Sequence, residues 1–301
     1  MSFHKKMRPV ILLFILILVV LFSSALLSIP LYNLLNSFFD IRFSKFLSHL
    51  ASVLGLVFIF VYLKYYNMLD RDTAGFARKQ TPLSRDFLQG ILIGILIMVI
   101  LEMALLGLGI RRLAPELGFN PVLIIFVGKA LFSGIGVAII EETLYRGALL
   151  GGLARKSGVL TAVVFSSLVY ATVHFIRFPS IADSAGSGWT TGFLILSDTF
   201  NRFLDPAIID SFLSLTMFGI FLSLVRLQRG NIYQCIGIHA GVVMSIRIIT
   251  KLTDHNQDSA LGFLVNSQDH HLGYLALVWL ALLTVIYYLY GFKYRLTTPA
   301  G

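Results

Sequence analysis

Cysteine and charge are both scarce in this sequence. Cys235 is its single cysteine, which excludes an intramolecular disulfide and a metal site built from several cysteines. Charged residues make up only 13% of the chain and hydrophobic residues 57%, which excludes a water-soluble globule of this length. The chain also lacks internal repeats, low-complexity tracts and proline-rich linkers. We therefore expect residues 1–301 to form a single membrane domain.

The apolar residues lie in long runs. A run of about 20 such residues crosses the hydrocarbon core of a bilayer as a helix. Eight runs of this kind are predicted, at residues 9–31, 46–66, 87–110, 121–150, 158–176, 211–226, 231–250 and 271–291. The predicted fold class is all-α, a polytopic membrane bundle of about eight transmembrane helices.

The basic residues indicate an orientation and explain the net charge. The formal charge is +9, and most of the 24 Lys and Arg residues fall in segments that are cytoplasmic if the N-terminus is cytoplasmic. This bias follows the positive-inside rule and predicts an integral protein, of a bacterial plasma membrane, with both termini in the cytoplasm. Basic residues in short loops meet anionic lipid headgroups, so membrane lipids are the expected partners and no nucleic-acid partner is expected.

Two adjacent carboxylates interrupt the fourth apolar run. Glu141 and Glu142 would be costly in lipid, and ionisable residues inside a membrane helix mark functional sites. On a helix, Glu142 shares a face with Arg146, four residues later, which predicts a charge-assisted pair. Glu141 points about 100° away and is left to face a cavity near the bilayer midplane.

Two histidines lie in other apolar runs at similar depth. With a rise of about 1.5 Å per residue, His174 and His239 fall in the same middle zone of the bilayer as Glu141. Such a group can act as a general base on water, or it can bind zinc through three ligands with one open position. The spacing leaves both interpretations open, because no His-Glu-x-x-His pair is present.

The order of these residues resembles that of a known family. The sequence resembles the CAAX prenyl endopeptidase type 2 family, also called CPBP or Abi intramembrane proteases. The resemblance covers about residues 120–250 and leaves helices in residues 1–110 peripheral to this core. The matching residues are Glu141, Glu142, Arg146, Tyr170, His174, Gly230, Asn231, Ile232 and His239.

The resemblance implies a mechanism. Glu141, helped by His174, would activate a water that attacks a peptide carbonyl, and His239 would stabilise the oxyanion. Glu142 and Arg146 would hold the helix, with Tyr170 packed beside His174. The implied substrate is a membrane-associated peptide or a lipidated protein. The resemblance favours glutamate-activated water without a cofactor, and zinc held by Glu141, His174 and His239 is the alternative.

One departure from the family pattern bears on activity. The last motif commonly continues His-x-x-x-Asn, but the fourth residue after His239 is Val243, which cannot donate a hydrogen bond to an oxyanion. Tyr170 and Ser245 are the candidate replacements. The alternative is a catalytically impaired scaffold or partner-binding protein of the same family. A transporter is disfavoured, because neither a repeat nor paired broken helices are found. The sequence leaves the oligomeric state open.

Two further expectations concern charges away from this group. Glu102 and Lys129 lie at similar depth in the third and fourth runs, which predicts a structural salt bridge between them. Residues 67–86 carry charges of both signs and are expected to form a solvated connector.

Overall fold

A computed structural model describes residues 3–36, 38, 41–76, 83–114, 121–176, 178, 190–265 and 271–297. Ten α-helices are found in these residues: α1 (Phe3–Asn36), α2 (Phe43–Tyr65), α3 (Leu83–Gly107), α4 (Pro121–Glu142), α5 (Leu150–Ser157), α6 (Val159–Phe175), α7 (Thr191–Phe203), α8 (Ile209–Arg229), α9 (Tyr233–Leu252) and α10 (Tyr274–Thr297). A π-helical segment, Thr143–Leu149, joins α4 to α5. Two short strands, β1 (Arg111–Leu113) and β2 (Thr253–His255), pair antiparallel.

The predicted fold class is confirmed. Within the described residues, seven helical segments are long and apolar enough to cross a membrane, and the fourth of them runs from Ile124 to Ser157 through the π-helical segment. The shorter apolar helix α6 spans 17 residues and corresponds to the fifth predicted run. The chain is a polytopic helical membrane protein. We call the side at which α1 begins the near side and the other the far side.

A glycine seam joins α3 to α9. Gly90 and Gly94 of α3 face Gly237 and Gly241 of α9, so that each helix presents a G-x-x-x-G pair to the other. A Cβ atom added at Gly90 would lie 2.9 Å from the Cα of Gly237, and one added at Gly94 would lie 3.0 Å from the backbone nitrogen of Val242. Small residues at these spacings let membrane helices approach backbone to backbone. The seam therefore fixes where α9 lies.

Helix α9 contacts α4 in the same close manner. A Cβ atom added at Gly134 of α4 would lie 3.0 Å from the carbonyl oxygen of Ala240. Helix α9 is thus held between α3 and α4, and its residues from Gln234 to Val242 are all buried. His239 lies in the middle of this stretch.

The segment before α3 is packed against the bundle on the near side. Met68 and Thr73 are 0% and 5% exposed, and the backbone of residues 73 and 74 packs on Gly147 and Gly151. The expected solvated connector is therefore wrong for these residues, since glycines in the π-helical segment and α5 open a groove for the chain. Exposed Asp70 pairs with Arg155 at 2.5 Å. Residues 77–82 of the same connector lie outside the described residues.

The predicted pair between Glu102 and Lys129 is wrong. The carboxylate of Glu102 instead accepts hydrogen bonds from Arg111 Nε, at 3.0 Å, and from Thr253 Oγ1, at 2.8 Å. Lys129 is exposed on α4. The reason is the ribbon of β1 and β2, which folds Arg111 back over the far end of α3. The sequence gives no signal for this ribbon, whose two strands are far apart along the chain.

The glycine seam predicts an asymmetric response to added side chains. We expect Gly94→Val to destabilise the protein by about 1–3 kcal/mol or more, because the new side chain would meet backbone that cannot move aside. Gly128→Val is the matched control, because Gly128 is an exposed helical glycine of α4 with open space at its Cβ position. Thermal unfolding in detergent measures both variants, and equal melting temperatures would contradict the seam's role.

Candidate active site

The two carboxylates lie where α4 changes its winding. Glu141 and Glu142 are the last residues of α4, and the π-helical segment begins at Thr143. Insertions of π-helix into α-helices are rare and frequently occur at functional sites. Tyr145 and Arg146 lie in this segment and are both buried.

Glu142 is fully buried between Arg146 and His239. Its Oε1 atom accepts a hydrogen bond from Arg146 Nη1 at 3.1 Å, which confirms the predicted pair. The same oxygen lies 2.7 Å from His239 Nδ1. Because Oε1 already accepts from Arg146, it is the acceptor here also, and His239 Nδ1 carries the proton. The contact with His239 was not predicted, since 97 residues separate the two positions.

Arg146 is enclosed by aromatic rings as well as by its carboxylate. Its guanidinium carbon lies 4.3 Å from the centroid of the Tyr170 ring, within range of a cation–π contact. Tyr170 also packs edge-on against Tyr145, with 5.3 Å between centroids, and lies beside the ring of His174 at 4.4 Å. Tyr170 therefore links the buried ion pair to the second histidine.

Glu141 faces both histidines. Its Oε2 atom lies 3.7 Å from His174 Nε2 and 3.9 Å from His239 Nε2. His174 Nδ1 lies 2.8 Å from the carbonyl oxygen of Tyr170, which can only accept, so Nδ1 donates. With both Nδ1 atoms engaged, each ring directs Nε2 toward Glu141. The three residues that the sequence singled out are thus brought together from α4, α6 and α9.

The same Oε2 atom is buried and accepts no hydrogen bond from the described residues. Separations of 3.7 and 3.9 Å exceed direct hydrogen-bond distances and suit a contact through a water molecule. Buried acceptors without a partner are uncommon and call for a specific explanation, of which a catalytic role is one.

As a set of metal ligands, the three residues are loosely arranged. The described residues contain no group of three or more His, Cys, Asp or Glu side chains placed to hold a metal ion. In the set that the sequence proposed for zinc, Glu141 Oε2 lies 3.7 Å from His174 Nε2 and 3.9 Å from His239 Nε2. The activity of the protein in chelator, with and without added zinc, distinguishes the zinc mechanism from the glutamate mechanism.

Two cavities flank this group. One, of about 260 Å³, is lined by Tyr170, His174, Phe218, His239, Val242 and Val243, among others. We call it the histidine cavity. The other, of about 420 Å³, is lined by Leu13, Val20, Ala51, Gly55, Glu141 and Tyr145, among others. We call it the glutamate cavity. The Glu141 and histidine side chains therefore form part of the wall between two spaces.

Val243 lines the histidine cavity one helical turn after His239, so an apolar side chain lies on the same helix face as the imidazole. Of the two candidate replacements for the missing amide, Tyr170 lines this cavity. Ser245 is buried but is not among the described residues that line either cavity. Tyr170 is thus the better placed of the two.

The fold and this group of residues define a membrane-embedded site of carboxylate and imidazole chemistry. Residues 123–245 match the family model described as type II CAAX prenyl endopeptidase Rce1-like. The match confirms, for these residues, the similarity to this protease family that the sequence motifs indicated. No curated protein and no solved structure matches the chain significantly.

The two adjacent glutamates should differ in what they contribute to stability. Glu142→Gln leaves Arg146 without its buried counter-charge, and breaking such a pair typically costs about 3–5 kcal/mol. Glu141→Gln replaces a side chain that is 25% exposed and makes no direct hydrogen bond through Oε2, so a much smaller loss is expected. Thermal unfolding of both variants in the same detergent checks this. A Glu142→Gln protein as stable as wild type would show that the carboxylate does not hold the site together.

Proposed function

We propose that this protein is an intramembrane endopeptidase in which Glu141 activates a water molecule for attack on a peptide bond. The observation that carries the proposal is the convergence of two imidazole Nε2 atoms on one buried carboxylate oxygen, Glu141 Oε2, which has no hydrogen-bond partner among the described residues. A water within reach of Oε2 could donate one hydrogen to Glu141 and the other to His174 Nε2, and could accept a hydrogen bond from His239 Nε2 when that ring is doubly protonated. The match to a protease family supports the same reaction class.

The reaction follows from the roles that these atoms can take. Glu141 accepts a proton from the water as its oxygen attacks the carbonyl carbon, and His174 Nε2 orients that water. The carbonyl oxygen becomes an oxyanion, to which His239 donates from Nε2 when its ring is doubly protonated. Glu141 then returns its proton to the peptide nitrogen as the carbon–nitrogen bond breaks. The products are a new carboxyl terminus and a new amino terminus.

Three residues act on this chemistry indirectly. Glu142 accepts from His239 Nδ1 and so sets the ring's orientation and aims Nε2 at the reacting centre. Arg146 neutralises Glu142, and Tyr170 packs over Arg146 and beside His174. We assign these three as positioning residues. Such support keeps catalytic groups within the narrow tolerances that turnover requires.

The wider setting belongs to the proposal as well. We infer that the near side is cytoplasmic, with both termini there, because basic residues concentrate on that side. A bacterial plasma membrane is the location that we propose. The substrate is a membrane-associated peptide or a lipidated protein. We favour a mechanism without a metal, and a zinc ion held by Glu141, His174 and His239 is the alternative.

A second candidate function rests on Val243. Its apolar side chain lies where an amide would add an oxyanion donor, and loss of one donor typically lowers turnover by about 100-fold or more. This favours, as the alternative, a membrane scaffold or partner-binding protein that has kept the helices and lost efficient catalysis.

Glu141→Gln should abolish cleavage without unfolding the protein, because the amide keeps the shape of the side chain and cannot accept the proton from water. The assay is cleavage of fluorogenic peptides by purified protein in nanodiscs. Asp258→Asn makes the same chemical change on an exposed turn and should leave cleavage unchanged.

Equal cleavage by Glu141→Gln and wild type would sink the glutamate mechanism. Loss of wild-type activity in chelator, with recovery on added zinc, would select the metal alternative. Absence of cleavage in wild type, with an unchanged cellular phenotype in the Glu141→Gln and His174→Ala variants, would select the scaffold.

Val243→Asn tests the missing donor. If turnover is limited by oxyanion stabilisation, the added amide one turn after His239 should raise kcat by about tenfold or more, toward the roughly 100-fold to 1,000-fold that a donor can contribute. Val243→Leu is the control, because leucine has nearly the shape of asparagine and cannot donate. An equal kcat in both variants would show that Val243 does not limit the reaction.

A further inference from the structure

Three exposed basic residues lie in the far halves of α4 and α9. Lys129 of α4 and Arg247 and Lys251 of α9 all fall within segments that are long and apolar enough to cross a membrane. None of the three forms an ion pair with the described residues. Ionisable residues in membrane helices are costly and usually pair, so a counter-charge is needed here from outside these residues.

The neighbours of Lys129 show which surroundings it faces. Ile125 and Phe132, about one helical turn before and after it, are 59% and 84% exposed. Apolar side chains on the outside of a membrane helix contact the acyl chains of lipids, which are as apolar as leucine. Lys129 therefore faces the bilayer and not the interior of the bundle.

Helices α4 and α9 run antiparallel. Gly134 of α4 contacts α9 at Ala240. Phe126 precedes Gly134 on α4, and its ring centroid lies 5.4 Å from the Nζ atom of Lys251, which follows Ala240 on α9. Helical side chains tilt toward the N-terminus of their own helix. Those of α4 therefore tilt toward the far side and those of α9 toward the near side.

This arrangement brings the three positive charges together around the ring of Phe126. Lys251 lies over the ring, and Arg247, four residues earlier, shares its face of α9. Lys129, three residues after Phe126, is its neighbour on α4. At about 1.5 Å per residue, the Cα atoms of Lys129, Arg247 and Lys251 lie about 7.5, 10.5 and 16.5 Å beyond the contact at Gly134, and the opposite tilts bring their charged groups closer in depth. We call these three residues the far-side cationic cluster.

An anionic phospholipid fits this cluster in both charge and position. Its phosphate supplies the missing negative charge and offers several acceptor oxygens to lysine and arginine. Its acyl chains match the exposed apolar residues that flank Lys129 on α4. Basic pockets between membrane helices bind the headgroups of anionic lipids in this way. A soluble anion would supply the charge but would leave the apolar surface unused.

We propose that the far-side cationic cluster binds the phosphate of an anionic phospholipid in the far leaflet, and that this phosphate bridges α4 to α9. Helix α4 carries Glu141 and Glu142, and α9 carries His239. A bridge between these helices therefore stabilises the pair that holds the site. Lipid binding and stability do not depend on the reaction, whereas an effect on cleavage rests on the proposed function.

Native mass spectrometry of the purified protein measures the binding. The probe is dioleoyl phosphatidylglycerol, and dioleoyl phosphatidylcholine is the zwitterionic comparison. A triple variant with Lys129→Gln, Arg247→Gln and Lys251→Gln should bind phosphatidylglycerol on the order of 100-fold more weakly, since each basic residue contributes about fivefold at an anionic membrane surface. Each single substitution should weaken binding about fivefold.

A matched control removes the same charges from the near side. Lys64, Arg71 and Lys156 are exposed and form no ion pair with the described residues. The variant with Lys64→Gln, Arg71→Gln and Lys156→Gln should keep the affinity of wild type. Equal affinity of wild type, triple variant and control for phosphatidylglycerol would overturn the proposal, and so would equal affinity of wild type for the two lipids.

Thermal unfolding in nanodiscs gives a second readout. Phosphatidylglycerol should raise the melting temperature of wild type and of the control, because a ligand of the folded state stabilises it, and should leave that of the triple variant unchanged. In phosphatidylcholine alone the triple variant should be at least as stable as wild type. A loss of stability that is equal in both lipids would instead assign the cations to the C-terminal dipole of α9 and overturn the lipid site.

Two further measurements separate the remaining outcomes. Stabilisation by soluble glycerol phosphate as strong as that by phosphatidylglycerol would overturn the lipid as the occupant. Cleavage by wild type should be faster in phosphatidylglycerol than in phosphatidylcholine, and cleavage by the triple variant should be equal in both. If no cleavage is found in either lipid while binding and stability follow the expected pattern, the proposed function fails and the lipid site stands.

Discussion

The buried carboxylate of Glu142 is the constraint on which the rest of the site depends. A charge inside a membrane protein is tolerated only when it is paired, and one unpaired partner costs several kcal/mol. Glu142 satisfies this requirement through a single oxygen that accepts from Arg146 and lies 2.7 Å from His239. Those two contacts tie the π-helical segment and α9 to the end of α4. The contact with Glu142 sets the orientation of the His239 ring. That orientation in turn sets the geometry around Glu141.

Such a network needs backbones that are held in place, and the glycine seam does this for α9. Four glycines remove the side chains that would otherwise separate α3 from α9, so the helices meet backbone to backbone. Contacts of this kind have little room to adjust, unlike contacts between long side chains. The imidazole of His239 keeps its position beside Glu142 because the helix that carries it cannot slide or rotate freely.

What could be predicted from the sequence was what depends on local spacing. Runs of apolar residues predict the helices, and the four-residue spacing predicts the pair between Glu142 and Arg146, because both follow from the geometry of one helix. Similar depth in the bilayer grouped Glu141 with His174 and His239, and the order of the motifs supported that group, whereas depth alone also paired Glu102 with Lys129, which was wrong. The contact between His239 and Glu142 was not predicted, because it depends on the rotation of α9 and α4 about their own axes.

The errors have the same origin. Glu102 pairs with Arg111 because a ribbon between β1 and β2 brings that arginine back over α3, and ribbon pairing across 142 residues leaves no local trace. Met68, Thr73 and Ala74 pack on the bundle because glycines in the π-helical segment and α5 provide the groove. In both cases the amino-acid composition shows that the segment is polar, but tertiary packing determines what the segment contacts.

The glycine seam joins a helix inside the family match, α9, to a helix outside it, α3. The family match begins at residue 123, whereas the helix that covers the glycine face of α9 ends at Gly107. Cut out by itself, the matched segment would turn that face, and the groove on Gly147 and Gly151, toward lipid or water without a partner. The boundaries of the family match therefore fall inside a packed unit of helices, so similarity in sequence and packing in the fold divide this chain at different places.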